Sequence, residues 1–158
     1  YIEYKKSQAE TRLKQNIRNR TNEAHDIATN LYNQHRATKN PDELKKIIKD
    51  ALRPIRYNNQ RGYYFITRLD GVEILFADRP EMEGLSLIDM QDTQGKFVIR
   101  DMIEIINESG EGFYRYNWTK PNRAGKDFPK IAFIKHFKPF DWLIGTGEYL
   151  DDVVNDIQ

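Results

Sequence analysis

The 158-residue chain has no cysteine. That removes disulfides and thiolate metal sites, and it fits an oxidising compartment where stray thiols are a liability, although many small cytosolic domains also lack the residue. No apolar run approaches the roughly 18 to 20 residues that a bilayer-crossing helix needs, and no signal-peptide pattern opens the chain. Charge of one sign is missing too: 25 Lys plus Arg stand against 24 Asp plus Glu, for a net charge of +1. Bulk attraction to nucleic acid or anionic lipid is therefore weak, and any partner is recognised by a site. Histidine is scarce, and His25 and His35 stand on one helical segment, separated by about 15 Å of rise and unable to share a metal ion. The length suits one domain with a sizeable core.

Residues 1–38 contain neither Gly nor Pro and carry Ile2, Ala9, Leu13, Ile17, Ala24, Ile27, Ala28, Leu31 and His35 at helical spacing. This predicts one long amphipathic helix over 1–38. At about 1.5 Å per residue it reaches about 50 Å, so its first turns should project beyond a compact domain. Its periodic face through Ile2, Ala9, Leu13 and Ile17 suggests a parallel homodimer. Asn40-Pro41-Asp42-Glu43 supplies a cap, a proline at the first helical position and acids at the positive dipole end. A second helix is expected over 41–53, closed by Pro54.

Gly62 to Thr67 and Val72 to Ala77 are β-prone runs joined by Leu69-Asp70-Gly71, a hairpin-turn signal. Pro80 to Gln94 reads as a loop wrapped over something, before Phe97, Ile99, Met102, Ile103 and Ile106 resume helical spacing. Three further strands are expected near 113–118, 131–138 and 142–148, with a polar Pro121 to Pro129 connection between the first two. The fold class is α+β, a long N-terminal helix on a five-stranded antiparallel sheet spanning 60–150, with another helix starting over 151–158. The chain opens on Tyr1, not Met, and stops within a plausible helix, which reads as a segment of a longer protein.

Several chemical readings fall short. Arg61-Gly62-Tyr63-Tyr64-Phe65-Ile66 resembles the base-stacking strand of RNA-recognition motifs, but Tyr64 and Arg68 break that pattern and the element order differs. Asp92-Thr93-Gln94-Gly95 reads as a turn after a polar cap. The sequons at Asn19, Asn107 and Asn117 match chance expectation for an Asn-rich chain. No spacing supplies a nucleophile-base pair or a metal cluster, so no enzyme and no cofactor is expected.

Tyr114, Tyr116 and Trp118 alternate along one strand and so share one face of the sheet. Tyr63 and Phe65 share a face of theirs. Lys130 enters the adjacent strand beside an apolar run, where a lone ammonium needs an anion, a carbonyl or water. Asp78, just past the second strand, argues instead for an amide or cation unless it pairs with Lys130. The bland alternative for the rings is core packing with their hydroxyls at solvent.

The pattern G-Y-Y-F-I, D-G, D…G-K, G-E-G-F…Y-x-W-x-K-P and K-I-A-F-I-K-x-F-x-P-F-D-W-L-I-G-T-G-E-Y-L-D-D resembles the single-Cache, PAS-like sensor domains of bacterial and archaeal histidine kinases, chemoreceptors and cyclases. Lys130, Trp142, Gly145, Gly147, Tyr149 and Asp152 fall at the family's spacing. Asp141, where Gly often stands, and Glu148, where a small or aliphatic residue is usual, depart from it. The resemblance implies a periplasmic or extracellular domain between two inner-membrane helices, binding a small organic ligand, a short carboxylate first, between the sheet and the Pro80 to Gln94 cover. The ligand-binding residues expected are Tyr63, Phe65, Asp78, Tyr114, Tyr116, Trp118 and Lys130. The alternative is a structural or protein-docking module without a small ligand.

Overall fold

The computed structural model describes residues 1–120 and 123–156. Helix α1 (Ile2–His35) buries Ala9, Leu13, Ile17, Thr21, Ala24 and Ala28, a nearly straight stripe at steps of three and four. It ends in a turn, with the Arg36 N–H on Tyr32 O, just short of the expected boundary. Helix α2 (Pro41–Leu52) starts as its sequence dictates, the Asn40 side chain accepting from the Glu43 N–H at 2.9 Å.

Five strands follow, β1 (Phe65–Arg68), β2 (Glu73–Phe76), β3 (Glu111–Lys120), β4 (Arg123–Phe137) and β5 (Trp142–Tyr149), with helix α3 (Val98–Ser109) before β3 and helix α4 (Leu150–Asp156) after β5. They form one antiparallel sheet in the order β2-β1-β5-β4-β3. The hairpin turns at Gly71, whose φ of 98° favours glycine. The expected output helix over 151–158 corresponds to α4, with residues 157–158 outside the described ones.

Helices α1 and α2 cover one face of the sheet through a core that joins Ala24, Ala28, Leu44, Ile48 and Leu52 to Tyr64, Ile66, Phe137 and Trp142. Directional bonds fix α1 on the sheet: Thr21 Oγ1 donates to Phe133 O at 3.2 Å, and Tyr64 Oη to Arg20 O at 3.1 Å. Helix α3 and the 77–97 strap cover the other face, through Leu87, Val98, Ile99, Met102 and Ile106.

Two expectations are corrected here. The stripe assigned to a dimer is used internally: Leu13 and Ile17 pack on Ile131 and Phe133, with Leu150 and Val153 alongside. Of that stripe Ile2 stands exposed, in the first turn beside Tyr1 and Tyr4. Residues 123–129, read as a connection, belong to β4, while 121–122 lie outside the described residues. The ladder accommodates Pro129 because its partner Asn117 turns its N–H outward, donating to Asp92 Oδ2 at 3.1 Å. That makes a non-hydrogen-bonded pair, which asks no N–H of proline.

Candidate functional site

On the face covered by α3, β1 presents Phe65 and Thr67, and Tyr63 just before it points the same way. Strand β2 adds Glu73 and Phe76, three residues apart, which strict alternation would send to opposite faces. A bulge resolves this: Ile66 pairs with Leu75 but Thr67 pairs with Glu73, so Ile74 is skipped in the register. Strand β3 contributes Tyr116 and Trp118, and the first turns of α3 close the space with Val98, Ile99 and Met102. The cavity between them measures about 20 Å³, room for about one water.

The rings form a continuous wall. Tyr63 stacks on Phe76 at 6.1 Å, and Phe76 stacks on Trp118 at 6.0 Å. Phe76 and Trp118 come from opposite edges of the sheet, so the sheet curls until its margins meet over the cavity.

Lys130 is buried, 2% exposed. Its Nζ stands 4.8 Å from the Tyr63 ring centroid, 5.5 Å from Phe65, 5.8 Å from Tyr116 and 5.3 Å from Tyr149. Two glycines on the same face of β5 make this possible. A β-carbon on Gly145 would lie 2.7 Å from Phe65 Cζ, and one on Gly147 would lie 2.7 Å from Lys130 Cε. Among the described residues Lys130 Nζ has neither a hydrogen bond nor a carboxylate within 4.0 Å. Burial lowers its pKa to about 8, against the pull of Asp78, Glu148 and Glu73. Cation-π contacts of about 0.5 to 2 kcal/mol each do not replace the hydration lost. The site is thus a desolvated cation in an aromatic cage, suited to a small anion.

Of the residues expected from sequence, Tyr63, Phe65, Tyr116 and Trp118 line the cavity and Lys130 is held among their rings. Tyr114 lies on the same face, but its hydroxyl donates to Asp101 on α3 and it does not line the cavity. Asp78 is engaged by Arg56 at 2.7 Å, not by Lys130. The first turns of α3 form the cavity wall, and no residue of the Pro80 to Gln94 segment lines the cavity, although Leu87 packs in the same cluster as Val98, Ile99 and Met102. Sequence reasoning missed Glu73, Thr67 and Phe76, and it missed Tyr149 as a neighbour of Lys130.

The strap is anchored at both margins of the sheet. Arg53 donates twice to Glu83 at 2.8 Å, and Glu83 accepts from the Phe76 N–H at 2.8 Å. At the other margin Asp92 accepts from the N–H groups of Gln94, Lys96 and Asn117. Among the described residues no cluster of His, Asp and Glu has the geometry to hold a metal ion, and no helix is long and apolar enough to cross a membrane.

The family model for the Cache domain (dCache_2) matches residues 1–158. Over 137 residues, 87% of this chain, the sequence is 30% identical to the sensor histidine kinase MctS of Rhizobium johnstonii. Over 103 residues, 65% of the chain, it is 31% identical to the methyl-accepting chemotaxis protein McpP of Pseudomonas putida. The alignments span 29% and 19% of the lengths of these relatives. The crystal structure of a methyl-accepting chemotaxis protein from Vibrio parahaemolyticus superposes with a TM-score of 0.84 at 25% identity, covering 96% of this chain and 98% of that one. A long helix on a curled five-stranded sheet, matched over residues 1–158 by the family model and over 96% of the chain by that receptor structure, places this chain in the Cache sensor-domain family.

Proposed function

We propose that this domain binds a short carboxylate at Lys130 and forms the periplasmic or extracellular part of an inner-membrane receptor, flanked by membrane helices and dimeric when intact. One observation carries the carboxylate reading: a buried ammonium with no carboxylate within 4.0 Å is ringed by Tyr63, Phe65 and Tyr116, three of the rings that line the cavity. The N-terminal turn of α3, which has no side-chain cap, adds its positive dipole end to the same wall. Tyr63, Phe65, Tyr116 and Trp118 pack the apolar part of the ligand. Tyr114 and Asp78 hold positions behind them, on Asp101 and Arg56.

The cavity of about 20 Å³ has room for about one water, so on this reading ligand entry moves α3 away from the sheet. That displacement is the signal. It reaches α4 through Tyr149, which touches Lys130 and immediately precedes the helix. Arg61 and Lys120 tie the junction, Arg61 contacting Glu148 and Asp152, and Lys120 contacting Asp151 and Asp152. A tenfold change in output needs about 1.4 kcal/mol of ligand preference between the two states.

Calorimetry with acetate, propionate, pyruvate and lactate tests the binding. Wild type is expected to bind at least one of them, and Lys130→Met to lose at least tenfold in affinity while melting no lower than wild type. Equal affinity in the two proteins removes Lys130 from the site.

A further inference from the structure

The cavity has a second polar corner. Glu73 is 3% exposed, lines the cavity together with Thr67, and is bonded to Thr67 Oγ1 at 2.6 Å. Resting on the carboxylate reading above, we propose that the Thr67–Glu73 pair selects short carboxylates carrying an additional acceptor oxygen, as 2-oxo and 2-hydroxy acids do, over unsubstituted acids.

No cation lies within 4.0 Å of Glu73 among the described residues. The arginines nearby are committed elsewhere, Arg53 to Glu83 and Arg68 to Asp70. A buried carboxylate without a counter-ion keeps its proton. The Glu73 pKa agrees, pushed up to about 8 by burial despite the Thr67 bond.

A count of hydrogens then follows. The protonated pair owns two O–H groups and makes one bond between them. Whichever way the shared bond runs, one O–H is left over. Thr67 and Glu73 both line the cavity, so this O–H is offered to it. A ligand whose two carboxylate oxygens are taken by Lys130 and by the N-terminal turn of α3 satisfies this donor through a further oxygen. An unsubstituted acid leaves it unpaired, at a cost of about a factor of ten in affinity.

The test compares pyruvate with propionate, nearly the same shape with and without the oxo oxygen, by calorimetry on the domain, with L-alanine as a third ligand. Wild type is expected to bind pyruvate about tenfold more tightly than propionate. Glu73→Gln, which keeps a donor, should keep the preference. Thr67→Val/Glu73→Met, which removes both hydroxyls at similar volume, should bring the two acids within about twofold. Equal affinities in wild type overturn the proposal without needing a variant. Retention of the preference in the double variant also overturns it. L-alanine binding more tightly than pyruvate would mean an ionised Glu73 receiving an ammonium, and would overturn it as well. If wild type binds none of the acids tested here or above, the carboxylate reading falls, and this proposal with it.

Discussion

The side chain of Lys130 lies across Gly147, so close that a β-carbon there would stand 2.7 Å from Lys130 Cε and 2.6 Å from Ile131 O. Position 147 therefore admits no side chain while the lysine holds its place. Gly147→Ala should destabilise the domain by about 1 to 3 kcal/mol, the range for overpacking a tight core. That lowers Tm by about 2 to 4 °C per kcal/mol. It should also weaken carboxylate binding at least tenfold. Scanning calorimetry and titration on one preparation check both, and unaltered values of both would show that the lysine has another route past β5.

Affinity for a carboxylate should fall at least tenfold between pH 7 and 9. Lys130 loses its proton at about 8, and Glu73 gains a charge at about 8 in the same cavity. Both changes oppose an anion. Glu73→Gln removes one of the two titrations, so its affinity profile should be shallower than that of wild type. A flat wild-type profile would contradict the assignment of the ammonium as the anion's partner.

The ligand-free domain should show a minimum in the stability contributed by these two groups near pH 8. The folded pKa of Glu73 lies above its ordinary 4.5, so the folded state holds more protons from there to about 8, and stability declines with rising pH. The folded pKa of Lys130 lies below its ordinary 10.5, so the unfolded chain holds more protons from about 8 upward, and stability recovers. Denaturant titrations on wild type and on Glu73→Gln/Lys130→Met check it. The difference between the two curves should dip near pH 8, and a difference independent of pH would refute it.

Asp141 occupies the left-handed region, φ 49° and ψ 52°, with its N–H bonded to Lys138 O and its carbonyl accepting from the Leu69 N–H. A side chain in that conformation costs about 1 kcal/mol that glycine avoids, partly offset by glycine's freer unfolded chain. Asp141→Gly should raise stability by about 0.5 kcal/mol. A lower Tm would show that the His136 contact at 3.3 Å outweighs the backbone term.

Hydrogen exchange locates the moving parts. With saturating ligand, amides of residues 80–102 and of 143–156 should exchange more slowly than without it, with the largest change in the first turn of α3. Identical exchange in both states would leave binding uncoupled from α4.

Strand alternation made much of this site readable before any coordinates. Tyr116, Trp118, Phe65 and Lys130 follow the period of two without a break, and so they come together as expected. Glu73 and Phe76 escaped because the bulge at Ile74 breaks that period within a four-residue strand. The hydroxyl of Tyr114 was lost to Asp101, a partner on α3 whose approach no local pattern encodes. The supposed dimer stripe of α1 turned out to be core for a related reason: Leu150 and Val153 arrive from the far end of the chain. Residues 123–129 read as a loop because Gly125, Asp127 and Pro129 are turn-type residues.

The bulge also separates two duties. Glu73 lies on β2, at the margin of the sheet, whereas Lys130 and Tyr149 face each other across the paired strands that lead into α4. On the proposed reading, a substitution at the margin changes what the cavity accepts while the Lys130–Tyr149 pairing stays in place. On that reading, ligand choice is written at the edge of the sheet, and the route to α4 is written at its centre.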